Sequence, residues 1–158
     1  LGGIDILINN AGVGDFGSFE DMPVETWEKV MKVNLFGVYY VAKATLPYLK
    51  QNKEGDIVNV ASTAGLKGGP NMSAYSASKA AVISLSQSLM AELRKFNIRV
   101  ITLTPSTIAT DMSIEGKLTD GNPEKVLQPE DFAEWVRDIL KMNRRAMIAS
   151  ASIFSTNP

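Results

Sequence analysis

Tyr75 and Lys79 stand four residues apart near the start of a stretch, about Ser73 to Lys95, whose composition predicts a helix. At that spacing both side chains leave one helix face about a turn apart. A free phenol titrates at about 10, too high for ready proton exchange near neutrality, and a nearby ammonium favours its ionised form. The pair could therefore pass a proton to or from a bound molecule, with Lys79 lowering the Tyr75 pKa. On spacing alone such a pair usually marks a solvated helix face. Ser62 directly follows a β-branched run, where its hydroxyl could donate to a carbonyl oxygen and polarise it. A plain turn serine is the other reading. Asn34 falls inside one helical pattern from Glu25 to Lys50 and competes for backbone hydrogen bonds, which predicts a break or kink there.

The sequence contains neither Cys nor His. It can offer no thiolate, no imidazole base, no Cys/His metal site and no Ser-His-Asp triad, so acid-base work falls to Tyr, Lys, Asp or Glu; no metal site is expected. With 158 residues, 45% of them apolar and 21% charged, the chain suits one globular domain spanning 1–158. A net charge of -1 with no long basic run gives no footprint for nucleic acid or an anionic membrane. No apolar stretch approaches the roughly 20 residues of a membrane span, and the start lacks a signal-peptide layout. A cytoplasmic protein acting on a small molecule is expected. Asn71-Met72-Ser73 matches a glycosylation acceptor, a short motif that recurs by chance.

The elements that must position these groups follow from periodicity. Ile4 to Ile8, Asp56 to Val60 and Asn97 to Leu103 are short β-branched runs that read as strands buried on both faces, and Ala146 to Ser150 is a fourth. Helices are predicted from Pro23 to about Val33 and on to Lys50, from about Ser73 to Lys95, and from Pro129 to about Met142. Glu130 and Asp131 in the first turn of the last helix, with Lys141, Arg144 and Arg145 near its end, complement the helix dipole. About Met112 to Leu127 reads as a long loop of the kind that forms a lid. Phe36, Val38, Tyr39, Tyr40, Val41 and Leu46 read as core or subunit interface. Small residues at Ala77, Ser78, Ala80, Ala81 and Ser84 suit core packing or close approach of another helix. Strand-helix alternation predicts an α/β fold with a parallel sheet and a ligand site at the carboxyl ends of the strands.

Asn9-Asn10-Ala11-Gly12, then Asn34, Ser62 and Tyr75-Ser76-Ala77-Ser78-Lys79, in this order and spacing, resemble the short-chain dehydrogenase/reductase family. The wording is closest to its 3-oxoacyl-(acyl-carrier-protein) reductase group, although the tail Ile153 to Pro158 lacks that group's usual Asp-Gly-Gly. The resemblance implies a Rossmann-like, doubly wound parallel sheet. It also implies a catalytic tetrad of Asn34, Ser62, Tyr75 and Lys79. Tyr75 would be the general acid/base and Ser62 the carbonyl orienter. Lys79 would lower the Tyr75 pKa and hold the nicotinamide ribose, and Asn34 would anchor a water-mediated proton relay. Asn10, Ala11 and Gly12 match the segment that lines the cofactor cleft and ties the central strands together. Pro105, Ile108 and Thr110 match the segment that caps the nicotinamide, the Ile108 backbone meeting its carboxamide. Ser106 stands where the family most often has Gly, and Ser tolerates positive φ less readily.

By the same resemblance the cofactor is NADP, or NAD, and the partners are a small-molecule carbonyl substrate, 3-oxoacyl thioesters on an acyl carrier among the candidates, and copies of the chain in a homodimer or homotetramer. The family's opening βαβαβ half, with its Gly-rich phosphate turn, has no counterpart before Leu1, a difference of roughly 70–80 residues. The piece alone is expected to be inactive and to leave a sheet edge open to pairing. An epimerase or dehydratase of the extended relatives and a non-catalytic scaffold remain as alternatives. The short tail after Arg145 argues against the first, and the intact tetrad against the second.

Overall fold

The β-branched runs pair side by side in a parallel sheet. The computed structural model describes residues 2–156. Its strands are β1 (Ile6–Asn9), β2 (Gly55–Val60), β3 (Ile98–Pro105) and β4 (Ser150–Ile153), in the order β1-β2-β3-β4. Register is set by Leu7 opposite Ile57, Ile57 opposite Val100, and Leu103 opposite Ala151. The connecting helices are α1 (Val24–Met31), α2 (Gly37–Gln51), α3 (Ser73–Leu93), α4 (Asp111–Glu115) and α5 (Pro129–Lys141). Among the described residues no helix is long and apolar enough to cross a membrane.

Alternate residues of each central strand feed two cores. Leu7, Ile57, Ile98 and Val100 pack with Ala42 and Leu49 of α2 and Leu93 of α3. Val58, Ile101 and Leu103 pack with Val136 and Ile139 of α5 on the opposite face. Full burial of each such Ile, Leu or Val contributes roughly 1.5–3 kcal/mol, and this two-sided burial explains runs that are apolar throughout. Strand β1 departs from it. Ile6 and Ile8 stay 47% and 46% exposed.

Three elements differ from the sequence expectation. The fourth strand lies at Ser150–Ile153, a few residues later than predicted, because Asn143 to Ala146 close a turn through Ala146 N–H to Asn143 O and pairing begins at Thr102 opposite Ser150. The predicted lid loop opens with helix α4, whose first turn is held by reciprocal hydrogen bonds between Thr110 and Ser113. Arg144 does not serve the end of its own helix. It reaches 88 residues back to Asp56 at 2.7 Å, while Arg99 of β3 donates to Leu140 O and Met142 O at the α5 terminus, both at 3.1 Å.

Of the apolar set on the long helix, Val38 is buried, but Phe36, Tyr39, Tyr40 and Val41 are exposed and so are not core of this chain. On α3 the small residues divide likewise, Ser78 being buried while Ala77, Ala80 and Ser84 are exposed.

Candidate active site

Asn34 produces the predicted break. Residues Lys32–Phe36 form a π-turn between α1 and α2, which rotates Asn34 inward to 1% exposure. Its Oδ1 accepts from Val13 N at 2.8 Å, and its Nδ2 donates to Val13 O and to Ser78 Oγ, both at 3.0 Å. Both amide protons are thus committed, and the side chain fixes the segment after β1 against α3. Ser78 extends the link by donating to Tyr75 O at 2.7 Å.

The tie between the central strands comes from Asn9, one residue before the segment expected to supply it. Its Nδ2 donates to Asn59 Oδ1 at 2.8 Å, and Asn59 Nδ2 donates to Ser86 Oγ at 2.8 Å, a buried polar chain across β1, β2 and α3. Buried amides need such partners, since leaving one unpaired costs about 1–3 kcal/mol.

Ser62, Tyr75 and Lys79 line one cleft of about 930 Å³ at the carboxyl ends of the strands, with Asn10, Ala11, Gly12, Pro105, Ile108 and Thr110. Asn34 lies behind this wall. Ser62 has the extended backbone of a cap on the short turn Thr63–Gly65, and its Oγ accepts from Ala64 N at 3.1 Å. It is therefore a turn serine, and its hydroxyl also neighbours the Tyr75 phenol in the cleft.

Gly65 closes that turn against α3. A Cβ there would fall 2.7 Å from Lys79 C and 2.8 Å from Ala80 N, both backbone atoms that cannot step aside.

Lys79 Nζ donates to Val60 O at 2.9 Å and lies 5.7 Å from the centre of the Tyr75 ring. Burial brings its pKa down from 10.5 to about 8. Burial likewise pushes the Tyr75 phenol above its ordinary 10.0, with the neighbouring Ser62 hydroxyl pulling partly back. The lowering expected from Lys79 is not the dominant influence, because a low-dielectric site opposes the charged phenolate and the ammonium is directed at Val60.

The capping segment is held from both sides. Ser106 N–H donates to Ile153 O at 2.8 Å, and Ala109 N–H to Leu127 O at 2.8 Å. Ser106 is not among the residues with positive φ, so the residue expected to strain this backbone does not. The Ile108 carbonyl accepts from Ser113 Oγ at 2.6 Å, which leaves the N–H as the Ile108 backbone group able to meet a ligand.

Gly12 provides the test of whether a nicotinamide ribose fits. A Cβ at that position would stand 3.3 Å from Asn34 Oδ1 and 3.4 Å from Lys79 Nζ, filling the space in front of the ammonium. Its absence keeps a donor accessible on a floor that also carries Asn10 and Thr110, a set suited to hydroxyls and amides.

The apolar half of the cleft has little signature in the sequence. Phe16, Leu66, Met72, Met112, Leu118 and Phe154 line it, and all but Met112 of the short α4 lie outside the regular elements that periodicity can detect. A local signal exists for Phe16, which sits among Gly12, Gly14 and Gly17.

The family pattern described as short chain dehydrogenase matches residues 1–120. The inactive 2-(S)-hydroxypropyl-CoM dehydrogenase 2 of Xanthobacter autotrophicus is 36% identical over 99% of this chain and 73% of its own length. An uncharacterized oxidoreductase of Staphylococcus saprophyticus is 39% identical over 85% of this chain and 56% of its own length.

Among solved structures, the alcohol dehydrogenase of the archaeon Thermococcus sibiricus, complexed with 5-hydroxy-NADP, matches all of this chain and 66% of its own, with a TM-score of 0.89 at 27% identity. The 3-ketoacyl-(acyl-carrier-protein) reductase of Brucella melitensis, complexed with NADH, has a TM-score of 0.87 at 31% identity over 96% of this chain and 66% of its own.

The chain thus spans between 56% and 73% of the length of these relatives. Its parallel sheet is the Rossmann-like sheet of these neighbours, and with a family pattern that covers the cleft from Asn10 to Thr110, this chain belongs to the short chain dehydrogenase family.

Proposed function

We propose that the chain carries the proton-transfer side of an NAD(P)-dependent oxidoreductase that interconverts a carbonyl and an alcohol. The observation that carries this reading is the convergence of Ser62, Tyr75 and Lys79 on one cleft wall, with Gly12 leaving the Lys79 ammonium accessible. A bound nicotinamide would supply or take up the hydride. Ser62 holds the carbonyl oxygen through its hydroxyl proton. Tyr75, kept protonated by burial, gives its proton to that oxygen during reduction. Lys79, Gly12 and Asn10 would hold the ribose, and the Ile108 N–H and Thr110 would meet the carboxamide end.

The length of the relatives, the outer edge of β1, unpaired among the described residues, and the exposed Ile6 and Ile8 support a further N-terminal βαβαβ part of the domain. That part would pair with β1, cover these side chains and supply the phosphate site. The exposed Phe36, Tyr39, Tyr40 and Tyr48 of the long helical stretch support a homo-oligomeric contact through α2. A 3-oxoacyl thioester is one substrate that suits this arrangement, supported by likeness to the Brucella melitensis reductase.

Tyr75→Phe tests the reading in the full-length protein. Reduction of a ketone, followed by consumption of NADPH or NADH, should fall by roughly 10²–10⁴-fold with cofactor affinity retained. Retained turnover would remove Tyr75 as the acid. A full-length parent that turns over no carbonyl compound would instead place the chain with the non-catalytic relatives.

A further inference from the structure

The cleft has a second wall with different chemistry. Beyond Ser62, Tyr75 and Lys79 it is lined by Phe16, Met72, Met112 and Leu118. Among the described residues, the charged groups lining the cleft besides Lys79 are Lys67 and Asp111, both exposed. Phe16 is the member of this wall that touches the chemistry. Its ring meets Tyr75 edge-on, with centroids 5.6 Å apart and planes at 66°.

Two glycines make room for that ring. A Cβ on Gly14 would come within 2.7 Å of Phe16 Cζ, and one on Gly116, at the end of α4, within 2.8 Å of the same ring. Neither glycine has a positive φ, so space and not backbone freedom explains them. The Met112 sulfur lies 3.1 Å from the Gly14 Cβ position, which brings α4 onto the other side of the same pocket. Phe16 therefore sits between the proton donor and the helix that opens the lid segment.

We infer that Phe16 is a specificity-determining residue, forming with Met72 and Met112 an apolar subsite for an uncharged hydrocarbon substituent of the carbonyl carbon. The inference rests on the reading of Tyr75 as proton donor, since the approach of Phe16 to Tyr75 is what places the subsite next to the reacting carbon. A thioether-and-aromatic wall adapts to aliphatic or aryl groups. An anionic substituent on the Phe16 side would meet no cation of that wall, because the Lys79 ammonium faces the Gly12 floor and Lys67 stands at the exposed rim.

The test uses the full-length protein with acetone, methyl propyl ketone and methyl hexyl ketone, and acetoacetate as the charged probe. The expected result is a rise in kcat/KM of about fourfold per added methylene, the value of one buried CH2. Acetoacetate should be poorer than methyl propyl ketone. Phe16→Ala should lower the ratio of methyl hexyl ketone to acetone at least roughly tenfold, chiefly through KM, as several methylenes lose their cover. Met112→Ala should lower it if Phe16→Ala does not fold.

A flat series, a preference for acetoacetate, or a ratio unchanged in both variants would overturn the inference while leaving Tyr75 untouched. Should the parent reduce no ketone, the Tyr75 reading fails by itself. Saturation-transfer NMR with methyl hexyl ketone then decides the subsite: a transfer signal that disappears in Phe16→Ala supports it, and an undiminished signal overturns it.

Discussion

The Lys79 ammonium donates a hydrogen bond to the carbonyl of Val60, the last residue of β2, at 2.9 Å. The residue that follows the sequence logic of a phenol-tuning group is thus anchored to the strand that presents Ser62, and α3 is pinned to the sheet at the site itself. Burial without a counter-ion is what brings its pKa down to about 8.

That shift makes stability depend on pH in a defined direction. Below about 8 both folded and unfolded chains carry the Lys79 ammonium, and the folded state bears the full penalty of burying it. Between about 8 and the ordinary 10.5 only the unfolded chain keeps the proton, so this group makes folding more favourable as pH rises through that window. The raised Tyr75 acts oppositely, but only above its ordinary 10.0. Urea unfolding at about pH 7.5 and about pH 9.5 should show Lys79→Met lacking a rise of the order of 2 kcal/mol that the parent displays. Equal pH dependence in the two proteins would show that Lys79 is not shifted.

Gly65 sets the spacing between Ser62 and Tyr75. Gly65→Ala would drive a methyl group into the backbone of Lys79 and Ala80, so the turn that carries Ser62 must move away from α3. A loss of about 1–3 kcal/mol in stability is expected from overpacking, with a fall of up to roughly 10²-fold in kcat for a misplacement near 1 Å. Gly17→Ala is the control, since nothing lies within 4 Å of a Cβ there. Thermal melts and steady-state rates on the two variants read both effects, and equal behaviour would remove the packing argument.

At the opposite end of the sheet, Asp56 is 5% exposed and accepts from Arg99 Nε at 2.6 Å, Arg99 Nη2 at 2.9 Å and Arg144 Nη1 at 2.7 Å. The guanidinium of Arg99 is held above its ordinary value, first by this hydrogen bond. Asp56→Ala leaves the buried Arg99 without its carboxylate and Arg144 with Glu54 alone at 3.6 Å, and should cost about 3–5 kcal/mol in urea unfolding. Arg137→Ala, which removes exposed pairs with Glu134 and Asp138, should leave the midpoint unchanged. Because Asp56 starts the strand that Ser62 follows, at the end far from the cleft, the rate per folded molecule should survive its loss.

The fold class and most of the site were legible from local pattern. Uninterrupted β-branched runs marked β1, β2 and β3 because a strand covered on both faces needs apolar residues at every position. The weaker run before Ser150 misplaced β4, since its start depends on the turn at Asn143 and on the bonds of Arg99 beyond the segment itself. The Tyr75 and Lys79 spacing and the helix break at Asn34 also required only neighbours along the chain.

The sequence by itself therefore determined which groups are available for proton transfer: with no Cys and no His, Tyr75 beside Lys79 on one helix face. Tertiary structure decided what each group bonds to and in which direction it shifts. Asn34 reaches Ser78 across 44 residues and spends its amide on packing, Lys79 gives its hydrogen bond to Val60 while lying over the Tyr75 ring, and Phe16 reaches Tyr75 from a loop. The physical reason is that periodicity records how a segment presents its own side chains, whereas burial, and with it the sign of a pKa shift, is set by segments distant in sequence that close over the group.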